Sequence, residues 1–357
     1  MKILVISLAG IGDTLSTTPL IHELRANFPD ATIDALVLWN GSKDLLENNP
    51  HLNRVYQKNL IKGGKPDKLE ALRFLRSLRK NRYDVSINTH PQSRILYRVA
   101  ARIIGAPMRI SHEYECFGPL DGWLVNCVLP QDYSRHSIEN DLAVLRFLGA
   151  EVKLPLHEIE IFLTAAEENW AGDFLASHKL ANRKLLGVHV GSGGTKNLAL
   201  RRWPLGNYEE LTRRLCKKHP NLAILFFGGP EEEPDHKKIR AVAGNENLFF
   251  PKTQNMRQAA ALIKKCGVFL SVDTALMHLA AAMKVPGQIV IETPTWNKPI
   301  EPYGNPFVLI KNPDVAGRNL EFYRYDGRGI QGSNEELRRC MESVTVESVF
   351  ETVDKLI

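Results

Sequence analysis

The sequence has little cysteine: Cys116, Cys127, Cys216, Cys266 and Cys340 are the five in 357 residues. The number is odd and no C-x-x-C pair occurs, which argues against a disulfide framework or a zinc knuckle. It points instead to a reducing compartment and buried thiols. No stretch approaches the roughly 20 uninterrupted apolar residues that a membrane-spanning helix requires. The opening run Ile3-Leu4-Val5-Ile6-Ser7-Leu8 is short, Asp13 follows closely, and no small-x-small cleavage site succeeds it. It reads as a buried strand of a cytoplasmic protein rather than a leader. Several catalytic signatures are also missing. There is no G-x-S-x-G elbow, no H-E-x-x-H, no Walker A loop and no G-x-G-x-x-G. No D-x-D pair offers a Mg²⁺ site for a diphosphate, so neither a metal nor a cofactor is expected.

What remains is an ordinary globular composition, 44% hydrophobic and 24% charged, in a chain long enough for two domains. The net charge of +6 is unevenly spread. Residues 55–110 hold 13 Lys and Arg against Asp67, Glu70 and Asp84. Such a region is either a solvated helical face or a docking surface for an acidic partner. Aromatic residues are not interleaved with it as stacking platforms would require, which disfavours nucleic acid.

Strand and helix alternate along the chain. Residues 2–8, 32–38 and 84–88 read as buried strands, with helices over 14–27 and 67–80; the second carries Leu69, Leu72, Leu75 and Leu78 at three-residue spacing. Thr164 and Glu167 form a capping box at a boundary. A second series follows, with strands at 185–190, 222–227, 267–272, 287–291 and 307–310 and helices near 206–218 and 256–265. This is the pattern of two consecutive α/β halves with doubly wound parallel sheets, each offering its strand ends to a shared cleft. The tail carries a helical stripe of Val346, Val349, Phe350, Val353 and Leu356.

Four segments follow strands and carry polar chemistry. In 9–19 (AGIGDTLSTTP) glycines at the turn suit positive φ or close approach, and Asp13 is either a general base or a helix cap. In 187–204, Gly191 to Thr195 precede Lys196, Arg201 and Arg202, a combination suited to a phosphate. In 268–286, Asp273 and Thr274 open a helix whose free N–H groups would attract a diphosphate, with Asp273 as its cap or a holder of sugar hydroxyls. His278 lies in its early turns. In 228–233 (GGPEEE), Glu231 and Glu232 either accept bonds from a ribose or form a solvated turn.

Together these segments resemble the bacterial heptosyltransferases of glycosyltransferase family 9. The family's Gly-Asp turn and T-P-L-like helix are matched by Gly12-Asp13-Thr14 and Thr18-Pro19-Leu20. Its loop ahead of Trp-Pro is matched by His189 to Ser192 and by Arg201-Arg202-Trp203-Pro204. Its D-T-x-x-x-H-L-A-A-A box is matched from Asp273 to Ala282, and its C-M-x-x-I/V element from Cys340 to Val344. Ala275 stands where the family commonly has Gly, and the long loop from Gly191 to Arg201 leaves Arg201, Arg202 and Lys196 as alternatives for the phosphate-binding cation.

The resemblance implies a GT-B architecture: an acceptor-binding Rossmann-like domain over 1–164, a nucleotide-sugar-binding one over 165–340, and a segment 341–357 whose helix crosses back onto the first. It implies inverting, metal-independent transfer of heptose from ADP-heptose to a lipopolysaccharide inner-core acceptor. Asp13 would be the base, on a turn with Gly12 and Thr14. Ser192, one of the three cations, and the N–H groups of Thr274, Ala275 and Leu276 would hold the diphosphate. Asp273 would orient sugar hydroxyls beside His278, with Glu232 on the ribose and Met256 on the base. The acceptor would be a phosphorylated, lipid-linked saccharide facing the basic region, met at the inner membrane surface. A nucleotide-sugar epimerase and a non-catalytic sugar-nucleotide-binding protein share this architecture and stand as the alternatives.

Overall fold

A computed structural model describes residues 1–59, 61–62, 65–192, 198–243 and 246–357. The chain forms two units. The first comprises Met1–Phe162, Lys298–Glu301 and Arg324–Gly329; the second comprises Leu163–Asn297, Pro302–Tyr323 and Ile330–Ile357.

In the first unit the strands of the main sheet are β1 (Lys2–Ser7), β2 (Thr32–Val37), β3 (Arg54–Gln57), β4 (Val85–Asn88), β5 (Met108–Glu113) and β6 (Cys127–Pro130). They form a parallel sheet in the order β3-β2-β1-β4-β5-β6. Ile3, Leu4, Val5 and Ile6 of β1 are buried, as a strand covered on both faces must be. The expected helix over 14–27 is two helices, α1 (Ile11–Leu15) and α2 (Thr18–Asn27). Pro19 has no N–H for the carbonyl of Leu15, and the Thr18 hydroxyl donates to that carbonyl instead at 2.8 Å. Helix α3 (Lys68–Arg79) starts under Asp67, which accepts from the Glu70 N–H at 3.0 Å. It buries Leu75 and Leu78 but exposes Leu69. Three-residue spacing falls short of the 3.6-residue turn, so the leucine stripe drifts around the helix. Lys68, Arg73, Arg76, Arg79 and Lys80 line the outer, solvated face.

The second unit repeats the plan with β7 (Lys184–His189), β8 (Leu222–Phe227), β9 (Leu248–Phe249), β10 (Val268–Ser271), β11 (Gly287–Ile291) and β12 (Phe307–Ile310). Their order is β9-β8-β7-β10-β11-β12, again parallel. The capping box of Thr164 and Glu167 opens a helix at Ala165–Ser177, as its sequence signature implies.

The C-terminal helix, Val346–Leu356, corrects an expectation. It packs within the second unit: Val349 and Val353 are fully buried in the same core as Trp203, Leu211 and Leu215. The Trp203 indole donates to the Val344 carbonyl at 2.8 Å, and Asp354 accepts from Lys218 at 2.8 Å. Truncating a buried tryptophan of this kind costs about 3–5 kcal/mol. The stretches that rejoin the first unit are instead 298–301 and 324–329. There Ser137 Oγ donates to the Pro299 carbonyl at 2.7 Å and the Tyr325 N–H donates to the Tyr133 hydroxyl at 2.9 Å. The uniform burial expected for the thiols also fails: Cys116 is exposed and Cys127 half-buried, while Cys216, Cys266 and Cys340 are buried.

Candidate active site

In each sheet the strand order reverses beside the first strand, between β1 and β4 and between β7 and β10. Doubly wound sheets bind ligands outside the C-terminal strand ends at that point. In the first unit β1 runs directly into the turn before α1. Asp13 occupies the third position of α1, and its Oδ2 accepts from the Gly10 N–H at 2.6 Å. The glycine is needed for close approach rather than for positive φ: its φ is −78°, and a Cβ there would lie 2.9 Å from Asp13 Oδ2. Gly12 is buried, and its carbonyl accepts from the Ser16 N–H at 3.2 Å. Thr14 Oγ1 is 3.1 Å from Ser7 Oγ and donates to Ser42 Oγ at 2.9 Å. Both residues therefore build the turn.

Buried polar groups surround this strand end. The His90 N–H donates to Asp141 Oδ1 at 2.7 Å, and His90 Nδ1 shares a bond with Ser137 Oγ at 3.1 Å. The Gln92 N–H donates to the Tyr114 hydroxyl at 2.9 Å. Burial pushes Asp141 well above the usual carboxylate range, and the Asp13 charge adds to that rise. Burial likewise holds His112 down to about 4. Both side-chain ends of Asn88, His90 Nε2, His112 Nδ1 and Asp141 Oδ2 are buried without a hydrogen-bond partner among the described residues.

In the second unit β7 ends at His189. Its Nδ1 shares a bond with Thr274 Oγ1 at 3.1 Å, and burial holds the imidazole neutral with its pKa at about 3. Thr274, and not Asp273, caps the helix Ala275–Ala282, accepting from the Met277 N–H at 3.4 Å. Asp273 is instead buried and ion-paired with Arg201. Burial raises its pKa, which the guanidinium partly offsets. Arg201 also donates to Thr295 Oγ1 at 3.2 Å. Arg202 donates to the Ser192 carbonyl at 3.1 Å and to Asp235 Oδ2 at 3.2 Å, and approaches Glu232 Oε1 at 3.5 Å. Glu232 accepts from the Gly229 N–H at 2.8 Å. Gly191 passes so close that a Cβ there would lie 2.3 Å from Glu232 Oε1.

Named bonds or ion pairs thus join Arg202 to Ser192 and Glu232, Arg201 to Asp273, and Thr274 to His189. Ala275 and Leu276 follow in the first turn of the capped helix, and His278 one turn on is buried. Ser192 Oγ, Arg201 Nε, Ser271 Oγ and His278 Nδ1 are buried without a hydrogen-bond partner among the described residues. Met256 opens the helix Met256–Ile263 under an Asn255 cap, and none of the bonds above reaches it. Lys196 lies outside the described residues. Sequence reasoning missed Thr295 and Asp235, which fix the two arginines, and the His90–Asp141 pair of the first unit. No local signal marks them, because their partners lie 94, 33 and 51 residues away.

A family model for glycosyltransferase family 9 (heptosyltransferase) matches residues 71–320. Lipopolysaccharide heptosyltransferase 3 of Escherichia coli (strain K12) is 29% identical over 293 residues, spanning 77% of this chain and 78% of the relative. A family 9 glycosyl transferase from Veillonella parvula has the same fold, with a TM-score of 0.75 at 20% identity over 99% of this chain and 96% of that one. ADP-heptose lps heptosyltransferase II of E. coli aligns with a TM-score of 0.70 at 21% identity, over 100% of this chain and 98% of that one.

Proposed function

The chain belongs to glycosyltransferase family 9, and from that premise we propose that it transfers a heptose from ADP-heptose to a lipopolysaccharide-core acceptor with inversion at the anomeric carbon. The donor follows from the name of the heptosyltransferase II relative, and a lipopolysaccharide acceptor from the names of both E. coli relatives.

The observation that carries the reading is the set of orphaned polar atoms at the two strand ends. A buried donor or acceptor left unpaired costs about 1–3 kcal/mol. Arg201 Nε, Ser192 Oγ and His278 Nδ1 in one unit, and His90 Nε2 and Asn88 in the other, are poised for a polar ligand.

In this scheme the second unit holds the donor. Arg201, Arg202 and the N–H groups at Thr274, Ala275 and Leu276 stabilise the diphosphate as it leaves with the bonding electron pair. Lys196 is the third candidate for that charge. Asp273 fixes Arg201 and meets the sugar hydroxyls, while Glu232 and Met256 serve the ribose and base. The first unit holds the acceptor. Asp13 takes the proton of the acceptor hydroxyl as its oxygen bonds to the anomeric carbon from the face opposite the leaving diphosphate. Because cationic side chains and helix N–H groups neutralise the leaving group, the reaction proceeds without a metal. The basic face of α3 meets the phosphates of a lipid-linked saccharide, placing the enzyme at the inner membrane surface; among the described residues no helix is long and apolar enough to cross a membrane.

The test is ADP release from ADP-heptose, with and without a core-lipid acceptor, in the presence and absence of EDTA. Acceptor-dependent release that survives EDTA is expected. Release of a free epimer without acceptor, or activity lost to EDTA and restored by Mg²⁺, overturns the scheme.

A further inference from the structure

Away from both strand ends, the first unit gathers three metal-ligating side chains from distant parts of the chain. His22 lies in the middle of α2, His51 in the turn before β3, and Glu160 in the irregular run that precedes Phe162. His22 Nδ1 is 3.0 Å from Glu160 Oε1, and His51 Nε2 is 3.6 Å from Glu160 Oε2. The imidazoles stack, with centroids 3.8 Å apart and planes 15° from parallel. Phe162 packs edge-on against His51 at 5.8 Å. One ligand atom from each of the three residues lies within 4.8 Å of the other two.

The 3.6 Å separation is too long for a hydrogen bond. Glu160 Oε2 is nonetheless buried and without a hydrogen-bond partner among the described residues. An imidazole nitrogen and a carboxylate oxygen thus face each other at 3.6 Å with no hydrogen bond between them. That spacing suits two ligands of one ion. Zinc binds imidazole nitrogen and carboxylate oxygen at about 2.0–2.2 Å, so tetrahedral neighbours lie roughly 3.3 Å apart. His22 Nδ1 and His51 Nε2 each lie against one oxygen of the same Glu160 carboxylate.

The surrounding charges are Arg25 and Glu158. The Arg25 guanidinium is anchored on the carbonyls of Pro29, Ala31 and His51 and on Asn53 Oδ1. Glu158 adds negative charge that favours a cation. The side chains of His22, His51 and Glu160 are 31%, 16% and 23% exposed, so an ion can enter from solvent and a water can complete its coordination.

We propose that His22, His51 and Glu160 bind a divalent transition metal of the zinc type, which staples α2, the turn before β3 and the run before Phe162. None of the three belongs to the transfer machinery, so the site acts on stability rather than on turnover.

The test uses the untagged full-length protein, stripped with a chelator and titrated with Co²⁺. Wild type should take up a single equivalent with visible bands of low-symmetry cobalt, displaced by Zn²⁺, and its melting temperature should rise with either ion. His51→Ala and the near-isosteric Glu160→Gln should lose the bands while keeping the wild-type circular dichroism and transfer rate. His178→Ala, which removes an exposed imidazole of the second unit, should keep them. Absence of micromolar uptake by wild type overturns the proposal. So does uptake unchanged in a folded Glu160→Gln, or uptake abolished by His178→Ala.

Discussion

The two units place opposite chemistry on one scaffold. Both carry six parallel strands in the same order and set their polar groups beyond the strands where that order reverses. At the end of β1 the ionisable group is a carboxylate, Asp13, among tyrosines, neutral histidines and a raised Asp141. Beyond β7 it is a pair of arginines, each locked by a carboxylate. The sheets set both groups at equivalent strand ends, and the loops decide which charge stands there; in the proposed reaction one end removes a proton and the other receives a negative charge. Mutation at the two ends should then differ in its effect on donor affinity.

Asp13→Asn gives the largest effect. Asn can still accept the Gly10 N–H bond but cannot take a proton, so folding and donor affinity should persist while transfer falls about 10²–10⁴-fold. Melting temperature, donor affinity and rate measured together decide it. Near-normal transfer would leave Asp13 as a structural residue of the turn and dissolve the contrast between the units. Arg201→Ala comes next. It should weaken ADP binding and slow transfer about 10²–10³-fold, and it strands Asp273 as an unpaired buried acid. A silent Arg201→Ala beside a crippled Arg202→Ala would move the role by one residue; silence in both would remove the second unit's share.

Gly191→Ala is smaller. The added methyl meets Glu232, and overpacking of this kind costs about 1–3 kcal/mol, which a denaturant titration reads. The matching Gly10→Ala places its methyl on Asp13 at the looser distance of 2.9 Å and should cost less stability while lowering the rate. Equal stability losses would contradict the packing described.

The smallest contrast is with pH. His51, His90, His112, His189, His236 and His278 all have lowered pKa values, chiefly through burial. The unfolded chain therefore binds more protons than the native one below the ordinary imidazole pKa, and stability rises with pH there, by about 1.4 kcal/mol per pH unit for each such histidine. Asp34, Asp141, Glu160 and Asp273 are shifted upward and oppose the trend above the ordinary carboxylate range. The histidines outnumber them, so the melting temperature should climb from pH 4 to about 6.5 and then level off. A melting temperature flat across that interval would show that these imidazoles are not buried as described.

Much of the scaffold is legible in the chain. The run 222–227 is apolar throughout and 2–8 and 287–291 nearly so because both sheet faces are covered, and the capping box at Thr164 announces its helix. Legibility fails where burial is partial. Strand β3 is RVYQ with no fully buried residue, and β5 begins half-exposed, so neither carries a continuous apolar run. The helix Ile95–Ile104 exposes Ile95 and Leu96 at its start.

The sequence by itself determined the alternation of strand and helix, the division into two halves, and the residue types that follow the strands. Those are local properties, set by side-chain periodicity and by the conformational needs of turns. Tertiary structure decided the partners. It paired Arg201 with Asp273 across 72 residues, gave the helix cap to Thr274, and seated Val349 and Val353 in the second unit's core. A buried charge has to be matched by whatever group the packed sheet brings within reach, and an apolar stripe records only that a helix face is covered. Which surface covers it depends on where the chain's loops return it.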